Sequence, residues 1–404
     1  MTVSPPPVRK PWVTTLWVAL FTMPVWSSLL GRMLKGKWWL NDFDSLICGA
    51  DHLRRGLSPY ALMPVCAGIN PAPFVYPPAI AAFFAPLTAL FSFDQLRLIY
   101  ALMLVPVVAL SVWYVFIKAF PEMSLRWRAL GCAILTGSSL ASGNVSLILH
   151  GVILAAALYL NRSRWPFLIA VVTAAFIKPV LLTYLVVLLY QDRKILSRIG
   201  FTLMGAVGGI AAFYGVSHGS GPLHAEWLAR MDQIVLTQQP GISFFAWASV
   251  FGGSPDSPLW LGLLLVYLGV VTLGGFALAE ITRLNADQRL LLGLGFAHLL
   301  NPRLMDYDIL ILGPFLALIA LTARHAGATA ARWAQRGLWT VTSITLFFSM
   351  ADIDAVKAAP LGILLSALLC GFVTSAVVVA HWPLLRAEAA TLPLRLRQIL
   401  ARKI

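Results

Sequence analysis

The chain has 404 residues, of which 59% are apolar and 11% charged, and thirty Lys and Arg oppose sixteen Asp and Glu for a formal charge of +14. Soluble domains run nearer about 45–50% apolar and about 25% charged. This composition excludes a disordered chain, a disulfide scaffold and an ordinary cytosolic enzyme, and points to an all-α polytopic integral membrane protein. The basic residues flank apolar runs and do not gather on one face. They read as cytoplasmic anchors, not as a nucleic-acid surface.

Residues 1–10 form a basic, Pro-rich tip. The run Pro11 to Leu30 is too long for the apolar core of a secretory leader and lacks a small-residue cleavage site, which predicts an uncleaved first helix. A long polar segment, 32–73, follows. Apolar runs then come at about 74–93, 97–118, 129–141, 144–160, 166–190 and 199–216. A second polar segment covers 217–258, and further runs lie at about 259–280, 290–300, 307–323, 337–350 and 359–380. The tail, 381–404, sets Arg386, Arg395, Arg397, Arg402 and Lys403 against Glu388. At ~20 apolar residues per crossing, the runs predict about twelve transmembrane helices in a single domain, 1–404. No repeat of fixed period stands out.

Short basic connections orient the bundle. Arg193-Lys194 with Arg198, Arg283 with Arg289, the 324–336 stretch and the tail are expected in the cytoplasm, together with both termini. Alternation then places both long polar segments on the extracytoplasmic side. The loop carrying Lys118, Arg126 and Arg128 disagrees. It falls outside if every run crosses once, and bringing it inside requires two changes, for example two neighbouring runs that fold back instead of crossing. Pro179 disfavours helical geometry at Lys178 and so marks one such run. The sequence offers no equal candidate for the second.

Trp38-Trp39-Leu40-Asn41-Asp42-Phe43-Asp44-Ser45 begins shortly after the first helix. The Trp pair suits a membrane interface, which sets Asp42 and Asp44 where head groups meet water. A carboxylate there can act as general base toward an acceptor hydroxyl, or it can simply make a turn. Asp42-Phe43-Asp44 also fits the loose pattern of metal–nucleotide sites. Tyr60, in Gly56-Leu57-Ser58-Pro59-Tyr60, and Tyr76, in Tyr76-Pro77-Pro78, are further candidates, although tandem Pro at a helix start is structurally ordinary.

Polar groups also interrupt apolar runs: Asn144 after Gly143, Lys178 before Pro179, and Arg303 in Asn301-Pro302-Arg303, with Tyr307 and Asp308 close behind. A charge at membrane depth costs at least ~2.5–3.5 kcal/mol. Each therefore serves function or is paired internally, for example Lys178 or Arg303 with Asp308. His298, little more than a helical turn before Arg303, can snorkel or bind a phosphate. Gln239 belongs to a stretch of amides and aromatics, 237–245, of the kind that recognises sugars. Trp227 to Leu236 before it reads as an amphipathic interfacial helix. The four Cys lack metal-ligand spacing, and Cys48 and Cys66 can form one bridge in an oxidising loop. No Walker loop, dinucleotide fingerprint, HExxH or GxSxG motif occurs.

Taken in order, Asp42-Phe43, Ala50, Gly56, Pro59-Tyr60, Tyr76-Pro77-Pro78, Gly143-Asn144, Ile177-Lys178-Pro179, Gln239-Pro240-Gly241-Ile242-Ser243 and Asn301-Pro302-Arg303 leading into Tyr307-Asp308 resemble glycosyltransferase family 87. These are polytopic enzymes of the GT-C superfamily, similar to polyprenol-phosphate-mannose-dependent mannosyltransferases. Asn144 stands where the family usually has Gln. The resemblance implies a GT-C-like fold in the cell (inner) membrane, with the active site facing the periplasm or cell exterior. It implies a polyprenyl-monophosphate-linked donor of mannose or another hexose or pentose, and a lipid or glycan acceptor. Asp42, fourteen residues before Gly56 as in the family, would be the base. Lys178, Arg303 and His298 would hold the donor phosphate. Asp44, Tyr60, Tyr76, Asn144, Gln239, Tyr307 and Asp308 would line the pocket. A monophosphate leaving group needs no metal in principle, so no cofactor and no essential divalent metal are expected. The alternative is a carrier or flippase for a lipid-linked or small polar solute, centred on Lys178 and Asp308. The lack of an evident repeat weighs against it.

Overall fold

The computed structural model describes residues 11–130, 137–218, 221–253, 257–305, 311–351 and 358–401, and every regular element among them is helical. Pro11–Phe21 (α1) and Met23–Leu34 (α2) are one apolar run bent by 64°. Pro24, at the start of α2, has no N–H to continue the ladder. Asn41–Arg54 (α3) and Pro78–Leu90 (α4) follow, then Phe93–Trp113 (α5), which runs on to Lys118 and is started by a capping box of Ser92 and Gln95. Short helices Leu125–Leu130 (α6) and Gly137–Ser142 (α7) lead into Val145–Ala157 (α8) and Trp165–Ile177 (α9). The chain breaks at Lys178, tightens over Pro179–Leu185 and returns through Val186–Tyr190 (α10). The remaining helices are Ile195–His218 (α11), Pro222–Arg230 (α12), Phe244–Val250 (α13), Pro258–Ile281 (α14), Ala286–Leu300 (α15), Leu312–Thr322 (α16), Ala328–Ala351 (α17) and Ala358–Ala401 (α18).

Among the described residues, four helices are long and apolar enough to cross a membrane: Phe93–Lys118, Ile195–His218, Pro258–Ile281 and Ala359–Arg386. The bent α1–α2 pair makes five if it counts as one span. Side chains such as Leu102, Val207 and Leu265 stand exposed on these helices, as hydrocarbon contact requires. Other apolar runs form shorter helices, including Pro78–Leu90, Val145–Ala157, Trp165–Ile177 and Pro179–Tyr190. Apolar run length therefore does not translate one for one into full-length spans.

Ion pairs identify the two ends of the bundle. At the basic end Lys118 meets Asp287 at 3.1 Å, Arg193 donates to the Asn161 carbonyl at 3.2 Å, and Arg198 and Arg289 hold Glu280 at 2.6 and 2.7 Å. At the other end Arg97 meets Asp44 at 3.2 Å and Asn144 meets Asp42. Tyr76 before α4 and Arg97 after it both lie at this second end. The α9–α10 pair turns back at Lys178. Lys118 stands beside the start of α15, against Asp287.

Helix length places the site. α8, α9 and α15 have 13, 13 and 15 residues, against 24 in α11 and α14. At 1.5 Å per residue the short helices rise about 20 Å and the long ones about 36 Å. All three short helices start or finish at the basic end, and their other tips are Asn144, Lys178 and Asn301. Those tips gather at the second end, which is the candidate site. The two polar segments meet above it: Trp227 donates to the Val75 carbonyl at 3.2 Å, Arg230 to the Tyr60 carbonyl, and Ser58 to Glu226. Trp227 is buried against the first segment.

Candidate active site

The site is built from backbone turns before any charged group enters it. Leu40 takes a left-handed conformation (φ 63°) just ahead of α3, and its N–H donates to the Ala141 carbonyl at 2.8 Å. Gly143 lies against it with φ +64°, and a Cβ there would fall 2.6 Å from the Leu40 side chain. Only glycine meets both demands. Asn144 then caps α8, its Oδ1 accepting the Ser146 N–H at 3.0 Å.

That one amide joins the two groups of opposite charge. Nδ2 of Asn144 donates to Asp42 Oδ2 at 2.8 Å, while Oδ1 accepts from Lys178 Nζ at 2.9 Å. Asn144 is buried, and Asp42 and Lys178 are half-buried. Buried Tyr76 completes this corner. Burial pushes its phenol well above the usual tyrosine range, nearby Asp42 adds to the shift, and Arg303 opposes it. The Tyr76 hydroxyl therefore remains a donor at neutral pH.

Arg303 is carried by a braid of two loops. Ser243 Oγ donates to the Asn301 carbonyl at 2.7 Å and accepts the Leu304 N–H at 2.9 Å. Ile242 N–H donates to Leu304 at 2.8 Å and Phe245 N–H to Pro302 at 3.1 Å. Gly241 (φ +84°) makes the crossing possible, because a Cβ there would lie 2.6 Å from the Leu304 carbonyl oxygen. The Asn301 side chain accepts the Arg303 N–H at 3.0 Å, and Arg303 Nε donates to the Gln239 carbonyl at 3.0 Å. Gln239 thus meets Arg303 through its backbone.

Two expected pocket residues stand behind the site as supports. The Asp44 side chain is fully buried, paired with Arg97 and facing the Asn70 N–H at 3.4 Å. Burial pushes its carboxyl up to about 6, against the pull of Arg97 and the Asn70 N–H. Arg97 also donates to the Trp39 carbonyl at 2.9 Å, bracing the turn into α3. Tyr60 is buried and donates to the Tyr76 carbonyl at 2.8 Å. The Cys48–Cys66 disulfide, one of the possibilities left open by the sequence, ties α3 to the loop above it.

His298 lies one turn below Asn301. Its Nδ1 is 2.6 Å from the Leu294 carbonyl, and its ring stacks on His150 and meets Tyr184 edge-on, with centroids 5.8 and 5.7 Å apart. His150 Nδ1 and the Tyr184 hydroxyl are 2.6 Å apart. His298 therefore belongs to a buried cluster beneath the site. Its other members lie six residues beyond Asn144 and Lys178, and their polar character inside apolar runs was the signal for them. Tyr307 and Asp308 lie outside the described residues.

Together the arrangement offers a half-buried carboxylate, an amine linked to it by one amide, a guanidinium close by and a protonated phenol. The N-termini of α3 and α8 also meet there, which favours negative charge. A family model, glycosyltransferase family 87, matches residues 74–302. The match takes in Tyr76, Asn144, Lys178, Gln239 and His298, ends one residue short of Arg303, and begins after α3 with Asp42. No curated protein and no solved structure matches the chain. With more than half of its length matched, the chain belongs to glycosyltransferase family 87 and is a membrane glycosyltransferase.

Proposed function

We propose that the protein transfers a sugar, mannose or another hexose or pentose, from a polyprenyl-monophosphate donor to a lipid or glycan acceptor at the extracytoplasmic face of the cell membrane. The hydrogen-bonded line from Asp42 through Asn144 to Lys178 carries this reading. Asp42 takes the proton of an acceptor hydroxyl, whose oxygen attacks the anomeric carbon. The bond from that carbon to the phosphate oxygen breaks, and its electron pair leaves with the polyprenyl phosphate. Lys178, Arg303 and the N-terminus of α8 stabilise the departing charge. These fixed positive groups can serve a monophosphate without a metal ion. Direct displacement inverts the anomeric configuration.

The site suits an amphiphilic donor, whose phosphate can meet Lys178 and Arg303 while its tail stays in hydrocarbon. The test is a transfer assay on the purified protein with a panel of prenyl-linked sugars. Wild type should transfer from at least one, and Asp42→Asn from the same donor far more slowly. No turnover of any prenyl-phosphate donor by wild type would overturn the donor class. A cysteine placed at Met63, which is 87% exposed in the loop over the site, should react with a membrane-impermeant thiol reagent from outside only.

A further inference from the structure

Cys48 and His52 stand one helical turn apart on α3, and Cys66 reaches them from the loop above. His52 Nε2 lies 3.9 Å from Cys48 Sγ and 3.7 Å from Cys66 Sγ. Cys48 is buried, while Cys66 and His52 are only partly so, next to the strongly exposed Val65 and Met63. The imidazole thus faces both sulfurs of the disulfide from nearly equal distances, with the Val65 carbonyl 3.4 Å from the same Nε2.

We infer that reduction of the Cys48–Cys66 disulfide converts this locus into a three-ligand site for one soft or borderline divalent cation of the zinc–cadmium class. A tetrahedral ion with M–S bonds of about 2.3 Å and an M–N bond of about 2.0 Å sets sulfurs about 3.7 Å apart and holds nitrogen about 3.5 Å from each. The imidazole already stands within a few tenths of an ångström of that position, so the sulfurs alone must part. The fourth position remains for water. The chemistry balances: a phosphine and one water reduce the disulfide to two thiols and a phosphine oxide, and the cation then displaces two protons from the thiols. No redox change occurs at the metal.

Disulfide and metal are alternative clasps for the same two pieces of chain. The clasped loop donates the Asn70 N–H to Asp44, accepts from the Asn41 side chain at 3.1 Å through the Asn70 carbonyl, and donates the Ala72 N–H to the Asn41 carbonyl at 3.2 Å. Either cross-link therefore holds the cover against the start of α3.

The experiment uses full-length protein in detergent, treated with a phosphine reductant, desalted without air and titrated with Cd²⁺. Reduced protein should take up one Cd²⁺ per chain with a thiolate-to-metal absorption band, and oxidised protein should show none. Bound metal should shield Cys48 and Cys66 from alkylation in peptide mapping of the unaltered sequence, a readout that needs no variant to fold. Cys370→Ser should change nothing, because Cys370 is buried elsewhere. His52→Ala should weaken binding at least tenfold, since even outer-shell partners are worth about 10–100-fold. The inference is overturned if reduced protein shows no band, if Cd²⁺ leaves both thiols open to alkylation, or if His52→Ala binds as tightly as wild type.

Discussion

Asp42 and Lys178 are held by opposite ends of a single buried amide, Asn144, at 2.8 and 2.9 Å. A shorter or apolar side chain at 144 separates them. Conversely, the amide orients the carboxylate. Because the second carboxylate of the motif, Asp44, points to another partner, the two acids have separable roles.

Asp42→Asn should lower the rate of sugar transfer by roughly 10²–10⁴-fold, the range for losing a general base, with donor binding retained. Asp44→Asn should cost far less, because it removes a buried ion pair and not the base. Steady-state assays of both purified variants check this. Near wild-type turnover by Asp42→Asn would sink the assignment.

Lys178→Met and Arg303→Met should each depress transfer by about 10²–10³-fold, as for removal of one charge-stabilising donor. Donor KM should rise with both, while acceptor KM should move little. Should the acceptor term change instead, the cations serve the acceptor. Protein yield and thermal midpoint must be measured beside the kinetics, since loss of folding would favour a purely structural pairing.

Asp44 makes stability depend on pH in a stated direction. Its carboxyl titrates at about 6 in the fold against 3.8 for the ordinary group, so the folded state holds the proton more tightly. The resulting contribution is complete below about pH 4 and is lost as pH rises through about 6. Thermal midpoints of wild type, compared with Asp44→Asn, should therefore fall across pH 4–6. Arg97→Met should destabilise at neutral pH by less than the roughly 3–5 kcal/mol typical of a broken buried pair, because Asp44 can take up a proton. That deficit should shrink below pH 6. A pH-independent deficit would contradict the pairing.

Gly241→Ala should be more damaging than an average surface change. The position combines φ +84° with a carbonyl oxygen 2.6 Å from any added Cβ, so the cost should exceed the ~1 kcal/mol of a left-handed residue alone. Misplacement of Arg303 should follow. Thermal shift and donor KM report the two effects separately.

The membrane class, the two polar segments and most polar groups of the site were legible in the sequence, because each is announced by composition or by a polar residue inside an apolar run. Pro179 announced the foldback at Lys178. The course of α4 left no such mark, because nothing local in its apolar run reveals that Tyr76 and Arg97 stay at the same end. Arg97 was overlooked for a related reason, since an arginine one turn into a span reads as an ordinary interfacial anchor. Tyr60 was read as a pocket residue through the Pro59-Tyr60 motif of the resemblance. Its bond to the Tyr76 carbonyl depends on a loop path that spacing does not encode.

The disulfide has a consequence for the order in which the chain is made. Asp42 emerges long before Asn144, Lys178 and Arg303, its neighbours in the finished site. At about 5–20 residues per second, the interval between Asp42 and Arg303 is roughly 10–50 s. Cys48 and Cys66 are separated by only 18 positions, so this local link can close while most of the bundle is still unmade. It keeps α3 and its cover together during the wait, when no partner helix is yet present to bury them. Non-reducing gels of nascent chains arrested at increasing lengths should show the link in chains that end before Asn144. Its first appearance only in full-length chains would assign it to a late step instead.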